Sequence, residues 1–286
     1  MMDKRLLSFG HGYSARTLAG RLVPEGWHIV GTTRSADKMD AIADTGVEPL
    51  LWPGSDPSDL ISEFPNILIS AGPDSSGDPV LIALRASFEK AVPSMRWLGY
   101  LSTTGVYGDH QGGWVDEQTP LTPATQRGVA RVEAEQAWQS IEGLPLHIFR
   151  LAGIYGPGRG PFAKVRNGTA QRIIKKGQVF SRIHVEDIAQ ALELSLCAPA
   201  PGEIYNLCDD DPAPPQDVIG HAAALLGVPL PPAVDFDAAD LTPMARSFYG
   251  ESKRVKNDHI KQALGWRPQY PDYRSGLADM LARRAD

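Results

Sequence analysis

The chain is short of cysteine. Cys197 and Cys208 are its only two among 286 residues, too few for a disulfide framework, and they favour a reducing compartment. Long apolar runs are also missing. No window approaches the roughly 18 apolar residues that a membrane-spanning helix needs, and glycines interrupt the opening MMDKRLLSFGHG before a signal-peptide core can form. There is no excess of positive charge. The net charge is −6, which argues against nucleic acid as a partner. The seven histidines are scattered without metal-ligand spacing, and no GxSxG nucleophile elbow occurs. Together these absences predict a cytoplasmic protein with no membrane, nucleic-acid or metal partner.

What is present is alternation. Apolar, β-rich runs at 5–9, 28–33, 47–52, 66–71, 97–102 and 146–151 flank helix-like segments at 15–25, 36–45, 80–91 and 128–140. Strands that are apolar on both faces, separated by helices, predict an α/β fold with a doubly wound parallel sheet of Rossmann type. Residues 1–151 are expected to form its nucleotide-binding part. Residues 152–286 are expected to form a smaller substrate-side extension in the same compact body. In that extension the patterns predict helices after Thr169 and over 185–198, 216–226, 252–264 and 273–284. A strand is predicted over 203–208 and an extended run over 228–236. Ser252 reads as an N-cap, which makes Lys253 a first-turn surface residue.

The first strand runs into GHGYSA, a GxGxxA pattern between a strand and a helix. Gly10 permits the tight turn, Gly12 lets the backbone approach a pyrophosphate, and Ala15 permits close helix–strand packing. The helix that follows offers free N–H groups to phosphates, and Tyr13 and Ser14 lie in its first turn. A glycine turn with no nucleotide is the plainer alternative. The second strand ends in GTTRS. An acidic residue there would hold a ribose 2′-hydroxyl; Arg34 favours a 2′-phosphate instead, with Thr32, Thr33 and Ser35 as hydroxyl donors. The cofactor expected is NADP, with NAD less favoured.

These motifs continue in order through ILISAGP (67–73), LSTTGVYGD (101–109), VDEQTPLTP (115–123), FRLAGIYGPGR (149–159), SRIHVEDIAQAL (181–192), IYNLCDD (204–210) and LGWRPQYPDYRSGL (264–277). The series resembles the extended short-chain dehydrogenase/reductases, the NAD(P)-dependent epimerase/dehydratase-like group, and nearest its atypical members. The resemblance spans nearly the whole chain. It implies a cofactor-binding role for Ala71 and Gly72. It also implies that the Thr103 hydroxyl meets the reacting substrate oxygen, although a strand-end threonine can equally cap a turn. It implies a homodimer through the helices at 80–91 and 128–140.

One departure stands out. The family's YxxxK tyrosine, a general acid/base, falls on Arg127, and its lysine falls on Arg131; no tyrosine lies between Tyr107 and Tyr155. Arginine stays protonated, so Arg127 cannot be a base, though it could clamp an oxyanion. Arg131 could hold ribose hydroxyls, or it could pair with Glu135 on a solvated helix face. Tyr107 is the one phenol near the expected site. Thr104 and Gly105 stand where the group's dehydratases carry two acids, which disfavours that reaction. A second candidate pair, Tyr249 and Lys253 in FYGESKRV, has the right spacing for one helix face but lies beyond the last core strand.

No Asp or Glu occurs from Gly143 through Val185, while Arg150, Arg159, Lys164, Arg166, Arg172, Lys175, Lys176 and Arg182 do. This inversion of charge suits an anionic substrate, small and possibly phosphorylated or nucleotide-linked, with Arg182 and His184 as the residues facing it. Solvated surface charge is the alternative. Two functions follow: an NADP-binding oxidoreductase or epimerase-like enzyme, or an NADP-binding sensor or interaction protein that lacks the tyrosine base.

Overall fold

The computed structural model describes residues 3–283. Its strands are β1 (Arg5–Phe9), β2 (His28–Thr33), β3 (Glu48–Leu51), β4 (Asn66–Ile69), β5 (Trp97–Thr103), β6 (Trp114–Val115), β7 (Leu146–Leu151), β8 (Gly153–Tyr155), β9 (Arg172–Ile174), β10 (Arg182–His184), β11 (Ile204–Leu207), β12 (Ala233–Asp235) and β13 (Arg254–Val255). Its α-helices are α1 (Tyr13–Leu22), α2 (Met39–Ala43), α3 (Ser58–Glu63), α4 (Pro79–Ala91), α5 (Gln126–Gln139), α6 (Phe162–Arg166), α7 (Val185–Cys197), α8 (Pro215–Leu226), α9 (Pro243–Phe248), α10 (Asp258–Leu264) and α11 (Tyr273–Ala282).

Seven strands build the Rossmann-type parallel sheet in the order β11-β7-β5-β4-β1-β2-β3. Leu7 pairs with Val30 on one side and with Ile67 on the other. The chain therefore moves outward from β1 to β3, then returns to lay β4 beside β1. This reversal is the place where open α/β sheets bind ligands, outside the strand ends. Gly10 follows β1 and Gly72 follows β4, so both glycines stand at that crevice. The sheet is covered: Leu7, Phe9, Ile67, Ile69, Leu98 and Tyr100 are buried with Phe88 of α4 and Trp138 of α5. Phe88 and Trp138 meet edge-to-face at 4.8 Å, a geometry that aromatic quadrupoles favour.

The chain forms two compact units. The first holds the residues through Thr103 with Gln126–Arg150 and Ile188–Tyr205; the second holds Thr104–Thr125, Leu151–Asp187 and the residues from Asn206 on. The second unit contains the short parallel pairs β8–β10, β9–β12 and β6–β13. Its core gathers Phe162, Val218, Tyr273, Leu277 and Met280.

Two late expectations change. The helix predicted after Thr169 is instead β9, whose β-branched Ile173 and Ile174 pair with Val234 and Asp235 of β12. The helix predicted from 252 begins only at Asp258, and Ser252 caps nothing. Its hydroxyl donates to Gly177 O (3.0 Å) and accepts from Val179 N (3.1 Å). Its carbonyl accepts from His110 N and Gly112 N. Distant backbone groups claim Ser252 before a local helix can. The last predicted helix ends at Ala282, and its predicted end at 284 lies outside the described residues. No described helix is long and apolar enough to cross a membrane.

Candidate functional site

In the first unit the loop after β1 is stitched to β2. Gly10 N donates to Thr32 Oγ1 (2.8 Å), and His11 N donates to Thr32 O (2.9 Å). Gly10 has φ 74°, and a Cβ there would lie 2.7 Å from Ala71 N. The fold itself demands this glycine. Gly12 is different. It is exposed, its φ of −97° suits any residue, and an added Cβ would meet nothing nearer than Gly10 O at 3.6 Å. No side chain caps the N-terminus of α1 that Gly12 opens. The open ground above Gly12 and the uncapped helix end fit a dinucleotide's pyrophosphate. Behind the loop, Ser14 and Ala15 are buried and Tyr13 is half-buried.

Sequence reasoning passed over His11. Its ring is wedged against β2, where a Cβ on Gly31 would come within 2.6 Å of His11 Cγ. Neither ring nitrogen has a partner among the described residues, and burial lowers its pKa to about 4, with Arg16 adding to the effect. The imidazole is therefore a neutral wedge at neutral pH. A histidine between two glycines gave no signal for this, because the space it fills belongs to Gly31, twenty residues on.

Arg34 follows β2, is exposed, and makes no ion pair with another described residue. Thr33 Oγ1 accepts from Ser35 N (3.2 Å), and the Ser35 hydroxyl donates to Asp37. That bond holds the Asp37 carboxyl below its ordinary pKa. The nearby acid is thus engaged locally, and Arg34 is left open to a phosphate.

Thr103 ends β5 and is half-buried. Arg131 reaches the same strand: Nη1 donates to Leu101 O (2.7 Å) and Tyr100 Oη (3.1 Å). Its guanidinium lies 5.6 Å from the Tyr100 ring centre. Nη2 stands 3.2 Å from the point a Gly72 Cβ would occupy. Arg131 therefore bridges the end of β5 and the loop after β4. The surface pair with Glu135 does not form. Glu135 faces inward, accepts from the Ser102 hydroxyl, and pairs with Arg150 (2.7 Å), both side chains being almost fully buried. Arg150 accordingly spends its charge in the core and adds nothing to a substrate face. Arg127, one turn before Arg131, is exposed.

The second unit holds Arg182, His184, Tyr107 and Tyr249. Arg182 Nη1 donates to Phe180 O and Ala213 O, each at 3.0 Å. His184 is closed in between Tyr155 (5.1 Å) and Tyr270 (4.1 Å), and burial lowers its pKa to about 4. It is a packed neutral ring at 1% exposure, with no face for a substrate. Tyr107 is fully buried and donates to Asn206 Oδ1 (2.7 Å). Asp209 is also buried. Neither of its side-chain oxygens has a partner among the described residues, and burial pushes its pKa up to about 8, against the pull of Arg182.

FYGESKRV does not form one helix. Tyr249 is the C-cap of α9, and Lys253 lies in the irregular stretch before β13. Lys253 is buried rather than on the surface. Its Nζ donates to Gly108 O (2.7 Å) and pairs with Glu251 (2.6 Å). The pair has the sequence spacing of an acid–base couple and none of its geometry.

Among the described residues no cluster of three or more His, Cys, Asp or Glu could hold a metal. The profile of the NAD dependent epimerase/dehydratase family matches residues 82–208. "Protein YeeZ" of Escherichia coli K12 is 30% identical over 282 residues, covering 94% of this chain and 97% of the relative. The structure of a functionally unknown conserved protein from Silicibacter pomeroyi is 62% identical with a TM-score of 0.95, over 99% of both chains. A dTDP-glucose 4,6-dehydratase from Bacillus anthracis, in complex with NAD, shares the fold at 19% identity and a TM-score of 0.77, over 99% of this chain and 96% of that one. On the family profile and the full-length relative together, the chain belongs to the NAD dependent epimerase/dehydratase family, within the extended short-chain dehydrogenase/reductases.

Proposed function

We propose that the protein is an NADP-dependent oxidoreductase or epimerase-like enzyme acting on a small anionic substrate. The observation that carries this reading is Arg131, fixed between the end of β5 and Gly72 in the place where the family carries its lysine. Gly10, Gly12, Tyr13, Ser14 and Ala15 would hold the pyrophosphate. Thr33 and Arg34 would take the adenosine 2′-phosphate, and Ala71, Gly72 and Arg131 the nicotinamide end. When bound, the dinucleotide supplies or accepts a hydride.

The chain's own residues supply position and charge. Thr103 offers a hydroxyl to the substrate oxygen, and the permanent charges of Arg131 and Arg127 would favour a negatively charged oxygen there. Neither arginine can exchange a proton at working pH. Proton transfer then falls to solvent or to the substrate. This predicts slow turnover and no ionisation of an enzyme base in the pH–rate profile. The test is NADPH consumption across carbonyl and phosphorylated-sugar panels. Turnover on any panel, reduced at least tenfold by Thr103→Val and by Arg131→Met, supports the reading.

A second reading is an NADP-binding sensor or interaction protein without turnover. One observation favours it: Tyr107, the phenol in the turn after Thr103, is buried and already hydrogen-bonded to Asn206. Tight NADPH binding with no turnover on any panel would select it.

We also propose that the protein is a homodimer through α4 and α5. Ile82 and Val129 stand exposed on these helices at 63% and 42%. Sedimentation equilibrium should give a dimer that Ile82→Asp dissociates; a wild-type monomer at tens of micromolar removes the proposal.

A further inference from the structure

The second unit carries a strap with firm ends and a thin middle. It runs from Phe236 to Gly250, between β12 and the chain that leads into β13. At its start, Phe236 N donates to Ile174 O (3.0 Å), which prolongs the β9–β12 pairing. Just past its end the chain is pinned again. Gln178 Nε2 donates to Glu251 O (2.6 Å), Ser252 N to Asp109 Oδ1 (2.8 Å), and Lys253 Nζ to Gly108 O (2.7 Å). Between these anchors only Ala239 is buried, α9 buries no side chain, and Met244 and Phe248 stand exposed. With six residues, α9 is too short to hold as a helix without packing.

Cations and rings hold the middle in place of a core. Lys175 Nζ donates to Tyr249 O and lies 5.0 Å from the Phe236 ring centre. One ammonium thus grips both ends of the strap. The Tyr249 ring meets Phe180 edge-to-face at 5.6 Å. Lys175 and Phe180 lie in the chain beneath, and both are half-buried. The other contacts join the strap to itself. Arg246 donates to Ala239 O (2.8 Å) and lies 4.8 Å from the Phe236 ring centre, and the Tyr249 ring lies 5.2 Å from Phe236. Each such contact stabilises less than a buried apolar side chain does. A segment that is cross-linked within itself and lightly tied to its floor opens as a cooperative unit at low cost.

We propose that residues 236–250 form a lid that opens as one unit between its anchors, with Lys175 as the latch and Phe180 as the floor it uncovers. The exposed Gly250, next to the pinned Glu251, serves as a hinge. The inference follows from the second unit alone and does not depend on the function proposed above. It gives Tyr249 a role as the lid's catch and not as an acid–base residue.

The test is amide hydrogen exchange of the full chain at neutral pH, read residue by residue by NMR. Arg246, Tyr249 and Gly250 report on the lid, because their N–H groups donate within it to Thr242 O, Arg246 O and Ser247 O. Gly112 and Val179, which donate to Ser252, report on the anchors. In wild type the three lid amides should share one protection factor, lower than that of the anchors by about a hundredfold or more. Lys175→Met should speed all three by about tenfold or more, since it removes both a charged hydrogen bond and a cation–π contact. The anchor amides should stay within about twofold, because the latch touches neither. Should Lys175→Met fail to fold, Arg246→Ala, at an exposed position, must speed the lid amides by about threefold or more. Lid amides as protected as the anchors, or a gradient of protection along the strap, would show packing or fraying and overturn the inference. A Lys175→Met variant that leaves lid exchange unchanged, or speeds lid and anchors alike, overturns it as well.

Discussion

Gly10 and Gly12 are two residues apart and glycine for different reasons. Gly10 has a left-handed backbone, and a Cβ would strike Ala71 N. Gly10→Ala should therefore cost about 2 kcal/mol or more of stability, read as a lower denaturant midpoint. Gly12 meets nothing that would exclude a methyl group. Gly12→Ala should leave the melting temperature within a degree or two and still weaken NADPH binding at least tenfold, because only the ligand needs that ground. Matching losses of stability at both positions would show that Gly12, too, serves the fold. These glycines were legible in sequence because their rule is local: strand, turn, helix. His11 was not, since its fit depends on Gly31 across the sheet.

At the scale of elements, the long alternating half was readable and the short late pieces were not. β1, β2 and β7 fall on their predicted bounds, because each is a five- or six-residue run buried over at least four residues in a covered sheet, which leaves little choice. β9 and β13 are two or three residues long, and their partners are distant in sequence, so local propensity could not announce them. α5 was placed correctly but its inner face was misjudged. Its i, i+4 charges predict an Arg131–Glu135 pair, whereas β5 and β7 offer each of them a better partner. Glu135 with Ser102 and Arg150 now locks the helix to the sheet. Glu135→Gln should destabilise the protein by about 3–5 kcal/mol, because it leaves Arg150 buried without its counter-charge. Glu135→Leu combined with Arg150→Met should recover most of that loss in thermal or denaturant melts. A single variant that melts like wild type would mean the pair contributes nothing.

For the whole molecule, buried titratable groups set the response to pH. Asp209 has its folded pKa raised from 3.8 to about 8. The folded state holds that proton more tightly than the unfolded one. The group's contribution is therefore full below about pH 4 and is lost as pH rises toward 8. Asp209→Asn removes the loss. Its stability advantage over wild type should grow by a few kcal/mol between pH 5 and pH 8, and a constant difference would contradict the burial argument. His11, His147 and His184, each lowered to about 4 by burial, act in the opposite sense. Their contribution is present above about pH 6.5 and falls away toward pH 4, in wild type and variant alike, so it cancels from the comparison.

The cofactor site carries the account further than the reaction does. Its direct test is the dissociation constant of NADPH and of NADH for wild type, Gly12→Ala and Arg34→Ala. Wild type should bind NADPH more tightly than NADH. Arg34→Ala should erase that preference by weakening NADPH about tenfold or more, the worth of hydrogen bonds to a charged group, while NADH binding holds. Gly12→Ala should weaken both. Equal affinities in wild type that Arg34→Ala leaves unchanged would contradict the NADP assignment. A folded wild type that binds neither dinucleotide would contradict the site itself.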